Sequence, residues 1–276
     1  MKVLVTGANG FLGTGIVRAL LDHGADVAAA GRSTELTDRR AERYEGDIFE
    51  LTDPWETFGR PDVLLHLAWR DGFVHDSPAH MADLPRHEAF IRAFAESGVK
   101  KIAVMGSMHE AGRFEGCIGE DTPCAPANAY GAAKYALRQF TEAVCREHGK
   151  LFEWLRGYYI VAADPRGASV FSKLAAAEAA GQATFPFTSG QNAYDFLDYD
   201  EFCRRTALAV LQDEVLGVIE ICSGQPEKLA DRVERFIRDN GYHIRLDYGA
   251  YPDRPYDVKA VWGDGSRIGR ILGGKQ

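Results

Sequence analysis

Short apolar runs alternate with helical patterns through the first 160 residues of the chain. The run at 61–69, PDVLLHLAW, is almost continuously apolar, which is typical of a strand buried on both faces of a parallel sheet. Residues 130–148 instead repeat apolar side chains at helical spacing, at Ala133, Leu137, Phe140 and Val144. This alternation predicts an α/β fold built on a doubly wound parallel sheet of the Rossmann type.

The same patterns predict the individual elements and two domains. Strands are predicted over 2–7, 25–33, 43–48, 61–69, 100–107, 151–161 and 217–224. Helices are predicted over 11–23, 86–97, 130–148, 169–180, 200–213 and 226–239. After residue 163 the order loosens, so we expect a main domain over 1–163 and a small C-terminal lobe over 164–276, with some segments returning to the main sheet. The Tyr-, Pro- and Asp-rich tail is expected to pack against the carboxyl edge of that sheet.

Composition narrows the class of protein. The 276 residues are 46% apolar and carry a formal net charge of −8, so long-range attraction to nucleic acid or to an anionic membrane is excluded. No apolar run approaches the roughly 20 residues of a membrane span. The five cysteines are an odd number without a C-x-x-C pair, and the acids do not cluster as metal ligands do. We expect a cytoplasmic protein with reduced thiols, no signal peptide and no metal site.

A glycine-rich turn follows the first strand. Gly7, Gly10 and Gly13 stand between Thr6 and the first helix, within the sequence TGANGFLG. Glycines at this junction let the backbone turn tightly and approach a pyrophosphate, whose charge the helix N-terminus stabilises. The turn therefore predicts a dinucleotide site that also includes Asn9, Phe11 and Leu12.

The end of the second strand distinguishes the two nicotinamide dinucleotides. An NAD site usually has an acid there, which accepts hydrogen bonds from the ribose hydroxyls. This chain has Gly31, Arg32 and Ser33 instead. Because an arginine can pair with a 2′-phosphate, the pattern favours NADP(H), with NAD(H) as the alternative.

Tyr130 and Lys134 are four residues apart at the start of a predicted helix, and so share one helical face. A nearby ammonium group lowers the pKa of a phenol, so we expect Tyr130 to exchange a proton near neutral pH. Ser107 ends the fifth predicted strand, at the edge where parallel sheets bind ligands. Its hydroxyl is placed to hydrogen-bond a substrate carbonyl beside Tyr130.

These motifs together resemble one enzyme family. The matching stretches are TGANGFLG, Gly46-Asp47, HLAW at 66–69, Gly106-Ser107, YGAAK at 130–134, YDFLDYDEF at 194–202 and DGSRIGRILG at 264–273. The chain resembles extended short-chain dehydrogenases/reductases of the NAD-dependent epimerase/dehydratase family, which act on nucleotide sugars.

The resemblance implies roles for particular residues. It implies that Ser107, Tyr130 and Lys134 are catalytic, and that Asp47 and Ile48 flank the adenine. It implies that the cofactor path toward the nicotinamide ribose is lined by Leu67, Ala68 and Trp69. The candidate substrate-binding residues are Arg70, Met108, Lys173 and Arg254, of which the last two are assigned to the sugar-nucleotide diphosphate. Related enzymes dimerise through two helices, which here would present Phe90, Phe94, Leu137 and Phe140.

Two residues after Ser107 bear on the reaction. Dehydratases resembling this family place an Asp and a Glu there, whereas this chain has Met108 and His109, and Met108 cannot donate a proton. Arg32 favours a reductase that consumes NADPH. We therefore expect reduction of a nucleotide-linked 4-keto-6-deoxy sugar by a homodimer. The alternatives are an epimerase that uses His109 as base and a non-catalytic NADP-binding regulatory protein.

Overall fold

The computed structural model describes residues 1–164, 166–253 and 258–273. Within these ranges the strands are β1 (Lys2–Thr6), β2 (Asp26–Gly31), β3 (Glu42–Glu45), β4 (Val63–His66), β5 (Lys101–Ser107), β6 (Gly116–Ile118), β7 (Leu151–Gly157), β8 (Tyr159–Val161), β9 (Thr184–Phe187), β10 (Ala193–Asp198), β11 (Gly217–Ile221), β12 (Pro226–Lys228), β13 (Arg245–Tyr248) and β14 (Ala260–Gly263). The α-helices are α1 (Phe11–Asp22), α2 (Pro54–Thr57), α3 (Ala79–Ala95), α4 (Ala129–Glu147), α5 (Val170–Ala179), α6 (Tyr199–Val210), α7 (Leu229–Asp239) and α8 (Ser266–Gly273). Short 3-10 turns cover Ile48–Glu50 and Met108–Ala111.

A parallel sheet of seven strands, counted within the described residues, forms the centre of the molecule. Its order is β11-β7-β5-β4-β1-β2-β3. The chain builds outward from β1 in one direction and from β4 in the other, so the order reverses between these two strands. Ligands of such sheets bind at the carboxyl ends next to this reversal. The predicted fold class is confirmed.

Side chains of alternating direction fill a core on each face of the sheet. Val3 and Val5 of β1 point to the layer of α1 and α6, whereas Leu4 points to the layer of α3 and α4. All three are fully buried. Burial on both faces explains why these strands are continuously apolar in the sequence.

The prediction of one strand over 151–161 is wrong. The chain leaves the main sheet after Gly157. A Cβ on this residue would lie 3.3 Å from the Phe202 ring, so a side chain would press on that ring. The Tyr158 hydroxyl donates to Glu220 at 2.8 Å, and β8 then pairs with β10 in a second sheet. The helix predicted over 86–97 also starts earlier, at Ala79, and runs through Pro85.

The second sheet and its helices form the smaller lobe. Its strand order is β12-β10-β14-β6, with β8 beside β10. A separate apolar core with α5 and α7 contains Phe171, Phe187, Phe196, Val233 and Phe236. The strand β11 returns to the main sheet and pairs with β7.

The tail joins this lobe at the carboxyl edge of the main sheet. Buried Asp195 of β10 accepts hydrogen bonds from the backbone of Ser223 and Gly224, just beyond β11, and of Gly263 in β14. One carboxylate thereby holds three segments of the lobe together at the edge where the site is expected.

The residues expected at a dimer contact are mostly inside the molecule. Phe90, Phe94 and Leu137 are buried in the core beneath α3 and α4. Phe140 is partly buried, and Arg92 lies 5.3 Å from its ring centre. Their apolar character is explained by packing within one chain. In the ranges that the structure covers, no helix is long and apolar enough to cross a membrane.

Candidate active site

The glycine turn brings α1 close to β1. Gly7 has φ +68°, and a Cβ there would lie 2.8 Å from the Ala68 backbone. A Cβ on Gly13 would lie 2.3 Å from the Gly7 carbonyl oxygen, so only glycine allows this approach of helix to turn. Gly10 caps α1 without a side-chain hydrogen bond, and the first turn contains no acid. This open helix N-terminus fits the diphosphate of a dinucleotide.

Two side chains connect the turn to its neighbours. Asn9 accepts a hydrogen bond from the Leu36 backbone at 2.6 Å, which ties the turn to the loop after β2. The Tyr199 hydroxyl accepts from the Gly15 backbone and donates to the Phe11 carbonyl, so α6 holds the start of α1. Leu12 is part of the same first turn and packs partly buried against the core.

The end of β2 carries a positive charge. The Arg32 side chain is exposed and, within the described residues, makes no hydrogen bond or ion pair. The Ser33 hydroxyl accepts from the Glu35 backbone. The nearest acid on β3, Glu45, is engaged by the backbone and hydroxyl of Thr34, both at 2.9 Å. Glu45 is therefore occupied at this strand end, whereas Arg32 lies close enough to Asp47 to help lower the pKa of that carboxyl group.

Asp47 and Ile48 follow β3 at the same edge. Ile48 is buried, while Asp47 accepts from the Phe49 backbone and pairs with Arg86 at 2.9 Å. Burial acts to raise the pKa of Asp47, but the Phe49 hydrogen bond and Arg86 lower it overall. The guanidinium group of Arg86 is thus paired with the Asp47 carboxylate.

Ser107 is fixed by a capping box. Its backbone N–H donates to Glu110 Oε1 at 2.8 Å, and its hydroxyl accepts from the His109 backbone at 3.3 Å. The Ser107 side chain lies close enough to the Tyr130 hydroxyl to act to lower the pKa of the phenol. Met108 is buried within this turn. The structure therefore places Ser107 near Tyr130, and their catalytic roles stay a prediction.

Lys134 does not lower the pKa of Tyr130 here, contrary to expectation. Burial raises the pKa of Tyr130 to about 12, against the opposing effect of the Ser107 hydrogen bond. Burial also lowers the pKa of Lys134 to about 7. Its ammonium group donates to the Met105 carbonyl at 2.9 Å and lies 6.0 Å from the Tyr130 ring centre. The lysine is directed at the backbone of β5 rather than at the phenol.

Histidines that the sequence analysis did not assign surround Tyr130. The His75 ring stacks on the Tyr130 ring at 5.7 Å and lies 4.3 Å from that of His109, while His80 lies 5.3 Å from Tyr130. Burial, followed by the nearby His75, lowers the pKa of His109 to about 4, so this imidazole is neutral at pH 7. Among the described residues, no group of three or more His, Cys, Asp or Glu side chains could hold a metal ion.

The candidate substrate residues are dispersed. Arg70 follows β4 and pairs with Asp83 at 2.9 Å, and Lys173 is exposed near the start of α5 in the lobe. Leu67 and Ala68 lie between β4 and Arg70, against the glycine turn. Arg254 lies outside the described residues.

The family model of the NAD-dependent epimerase/dehydratase family matches residues 3–222. The chain is 39% identical over 269 residues to dTDP-6-deoxy-L-talose 4-dehydrogenase (NAD(+)) of Aggregatibacter actinomycetemcomitans, covering 95% of this chain and 99% of the relative. It is 28% identical to dTDP-6-deoxy-L-talose 4-dehydrogenase (NAD(P)(+)) of Kitasatospora kifunensis, covering 91% and 83%. UDP-glucose 4-epimerase of Thermotoga maritima has the same fold, with TM-score 0.82, 23% identity and coverage of 98% and 93%. The chain therefore belongs to the NAD-dependent epimerase/dehydratase family, as an NAD(P)-dependent oxidoreductase.

Proposed function

We propose that the enzyme reduces the 4-keto group of a 6-deoxy sugar linked to a nucleoside diphosphate, with NADPH as preferred reductant. The observation that carries the reaction is that Ser107, at the carboxyl end of β5, lies near Tyr130, with Lys134 on the same helix as the tyrosine. The sugar class is suggested by the 39% identical relative, which is named for the 4-position of a dTDP-6-deoxy sugar. The cofactor preference is supported by exposed Arg32.

The chain's own residues supply the proton and orient the ketone. The nicotinamide, when bound, supplies the hydride that adds to the carbonyl carbon. Tyr130, with a pKa of about 12, carries its proton at neutral pH and donates it to the carbonyl oxygen, which becomes the product hydroxyl. The Ser107 hydroxyl donates a hydrogen bond to the same oxygen and stabilises its growing charge.

Epimerisation is the second candidate, because neutral His109 lies beside Tyr130 with a ring-centre distance of 5.8 Å. A neutral imidazole can remove a carbon-bound proton, as an epimerase of this type requires. Dehydration is not supported, since buried Met108 takes the place of an acid.

The oligomeric state, and which part of the chain binds which ligand, form part of the same proposal. The lobe over 164–276 holds the nucleotide sugar, with Lys173 and Arg254 toward its diphosphate, and residues 1–163 hold the cofactor. The enzyme is a cytoplasmic homodimer in which the outer faces of α3 and α4 meet their copies across a two-fold axis. Exposed residues on these faces are Met81, Ala89, Gln139 and Ala143.

The test is loss of NADPH absorbance on mixing with a panel of nucleotide-linked 4-keto-6-deoxy sugars, run in heavy water. We expect reduction with no deuterium at C3 or C5. Tyr130→Phe should bind NADPH as the wild type does and turn over about 10²–10⁴-fold more slowly. Deuterium at C3 or C5 that His109→Asn abolishes would establish the epimerase instead, and NADPH loss without any ketone dependence would contradict both.

A further inference from the structure

Lys134 is a buried ammonium group with few compensating contacts. Its side chain is 2% exposed, and in the ranges that the structure describes no carboxylate forms an ion pair with it. Burial of a charge without a partner strongly favours the neutral amine. The contacts that remain are the Met105 carbonyl at 2.9 Å and the face of the Trp69 ring, whose centre lies 3.9 Å from Nζ.

The Trp69 ring is held by two histidines of α3. It stacks on His87 with ring centres 4.6 Å apart and on His80 with centres 5.9 Å apart. Trp69 Nε1–H donates to His80 Nδ1 at 3.0 Å, which fixes the His80 tautomer that has its proton on Nε2, beside the Val74 carbonyl at 2.9 Å. The indole is therefore fixed in both position and rotation.

The stack is neutral around Lys134. Burial lowers the pKa of His87 to about 3, and it lowers that of His66, whose Nε2 lies 2.8 Å from His87 Nδ1. The Thr6 hydroxyl lies 2.8 Å from the other nitrogen of His66 and completes this buried chain. With no competing cation in the stack, the electron-rich face of Trp69 is available to the ammonium group.

We propose that Trp69 is the positioning residue of Lys134: its ring, locked between His80 and His87, holds the lysine in place for the cofactor and favours its charged form. This inference rests on the Tyr–Lys assignment in the proposed function. A cation–π contact stabilises only the protonated amine, so Trp69 opposes the desolvation that lowers the pKa of Lys134 to about 7. The other titratable groups that face Lys134 are Tyr130 on its own helix and Glu110 in the turn after β5.

The test measures cofactor affinity by calorimetry without sugar, using NADPH or NADH, whichever binds more tightly. A desolvated cation–π contact corresponds to roughly one pKa unit, so Trp69→Leu should lower the pKa of Lys134 by about one unit. The charged fraction then falls about eightfold at pH 7.5 but less than twofold at pH 5.5. We expect the affinity for the cofactor to follow the charged fraction: it should fall about eightfold at pH 7.5 and less than twofold at pH 5.5.

Controls separate this role from packing. In a Lys134→Met background, Trp69→Leu should no longer change the pH dependence. Trp55→Leu, at the opposite edge and with Arg60 5.7 Å from its ring centre, should leave cofactor affinity unchanged at both pH values.

Should Trp69→Leu not fold, Trp69→Phe keeps a ring face and should give a smaller shift of the Lys134 pKa in the same direction. An equal loss at both pH values, or no loss, would overturn the proposal. Because no sugar is used, a wrong assignment of the reaction leaves the result intact.

Discussion

We predict that Arg32 is the side chain that separates NADPH from NADH in this enzyme. It is exposed at the end of β2, and the one acid nearby on β3 is engaged by Thr34. A charge-assisted bond to a 2′-phosphate contributes about 1.5–3 kcal/mol. Arg32→Ala should therefore weaken NADPH binding roughly tenfold to a hundredfold and leave NADH binding nearly unchanged.

Titration of both cofactors into wild type and variant checks this prediction. Arg39→Ala, which removes another exposed arginine of the same loop region, is the matched control and should affect neither cofactor. Equal affinity of the wild type for NADH and NADPH would contradict it.

At the same scale, the sequence could predict residues whose chemistry depends on local position. Gly7 and Gly13 follow from a strand–turn–helix junction, and Tyr130 follows from its spacing to Lys134 on one helix. His75 and His80 could not be predicted, because the loop between β4 and α3 brings them to Tyr130. The expected direction of the Tyr130 pKa shift was wrong for the same reason: burial raises this pKa, and burial is a property of the folded chain.

The 3-10 turn after β5 depends on one buried acid, Glu110. Its carboxylate accepts from the Ser107 backbone and from Trp154 Nε1, both at 2.8 Å. Arg156 of β7 and Arg138 of α4 lie 3.4 and 3.6 Å from Oε2. Glu110 therefore joins the catalytic turn to two neighbouring elements and fixes the backbone of Ser107.

Removing this acid should destabilise the protein and the turn together. Glu110→Ala leaves the Trp154 N–H without its acceptor and removes the carboxylate beside Arg138 and Arg156, so we expect the free energy of unfolding to fall by about 3–5 kcal/mol. Glu110→Gln keeps one oxygen acceptor, so its free energy of unfolding should fall less than that of Glu110→Ala. Urea unfolding measures both, with Glu56→Ala, an exposed partner of Arg60, as a control that changes little. A loss below about 1 kcal/mol in Glu110→Ala would show that the turn does not depend on this carboxylate.

At the level of elements, inner strands of the main sheet such as β1 and β4 could be predicted because burial on both faces makes them apolar. The break between β7 and β8 could not, since the apolar run continues through it and only the contacts of Gly157 and Tyr158 end the strand. The early start of α3 was also missed. Its first turns bury His80 beside the site. Because histidine is a polar residue, a search for apolar side chains at helical spacing does not identify it as part of the core.

For the whole molecule, the fold and family follow from motifs spread along the chain, whereas the dimer does not. Phe90, Phe94 and Leu137 are apolar because they fill the core of one chain. A helix that packs on a sheet and a helix that packs on a second copy both require apolar residues at helical spacing. The sequence pattern alone cannot separate these two uses.

Buried neutral histidines should make the whole molecule sensitive to acid. The pKa of His87 is lowered to about 3 and that of His109 to about 4, both chiefly by burial. Above pH 6.5 these groups are neutral in both the folded and unfolded states, and their effect on stability is constant. Below pH 6.5 the unfolded chain takes up protons that the folded chain excludes, so each histidine lowers the free energy of unfolding by about 1.4 kcal/mol per pH unit.

His87→Gln should remove one such contribution. The variant should be less stable than the wild type at pH 7, because the contacts of His87 with His66 and Trp69 are lost. The difference in the free energy of unfolding between wild type and variant should then narrow by about 1.4 kcal/mol for each pH unit between pH 6.5 and pH 4. Only the wild type loses stability through protonation of this histidine in the unfolded chain. Urea unfolding at pH 7, 6 and 5 measures the difference, in which the contributions of all carboxylates cancel. His23→Gln, at an exposed histidine, is the matched control. A difference that stays constant with pH would mean that the folded chain protonates His87 at the same pH as the unfolded chain, so that burial does not keep this imidazole neutral in acid.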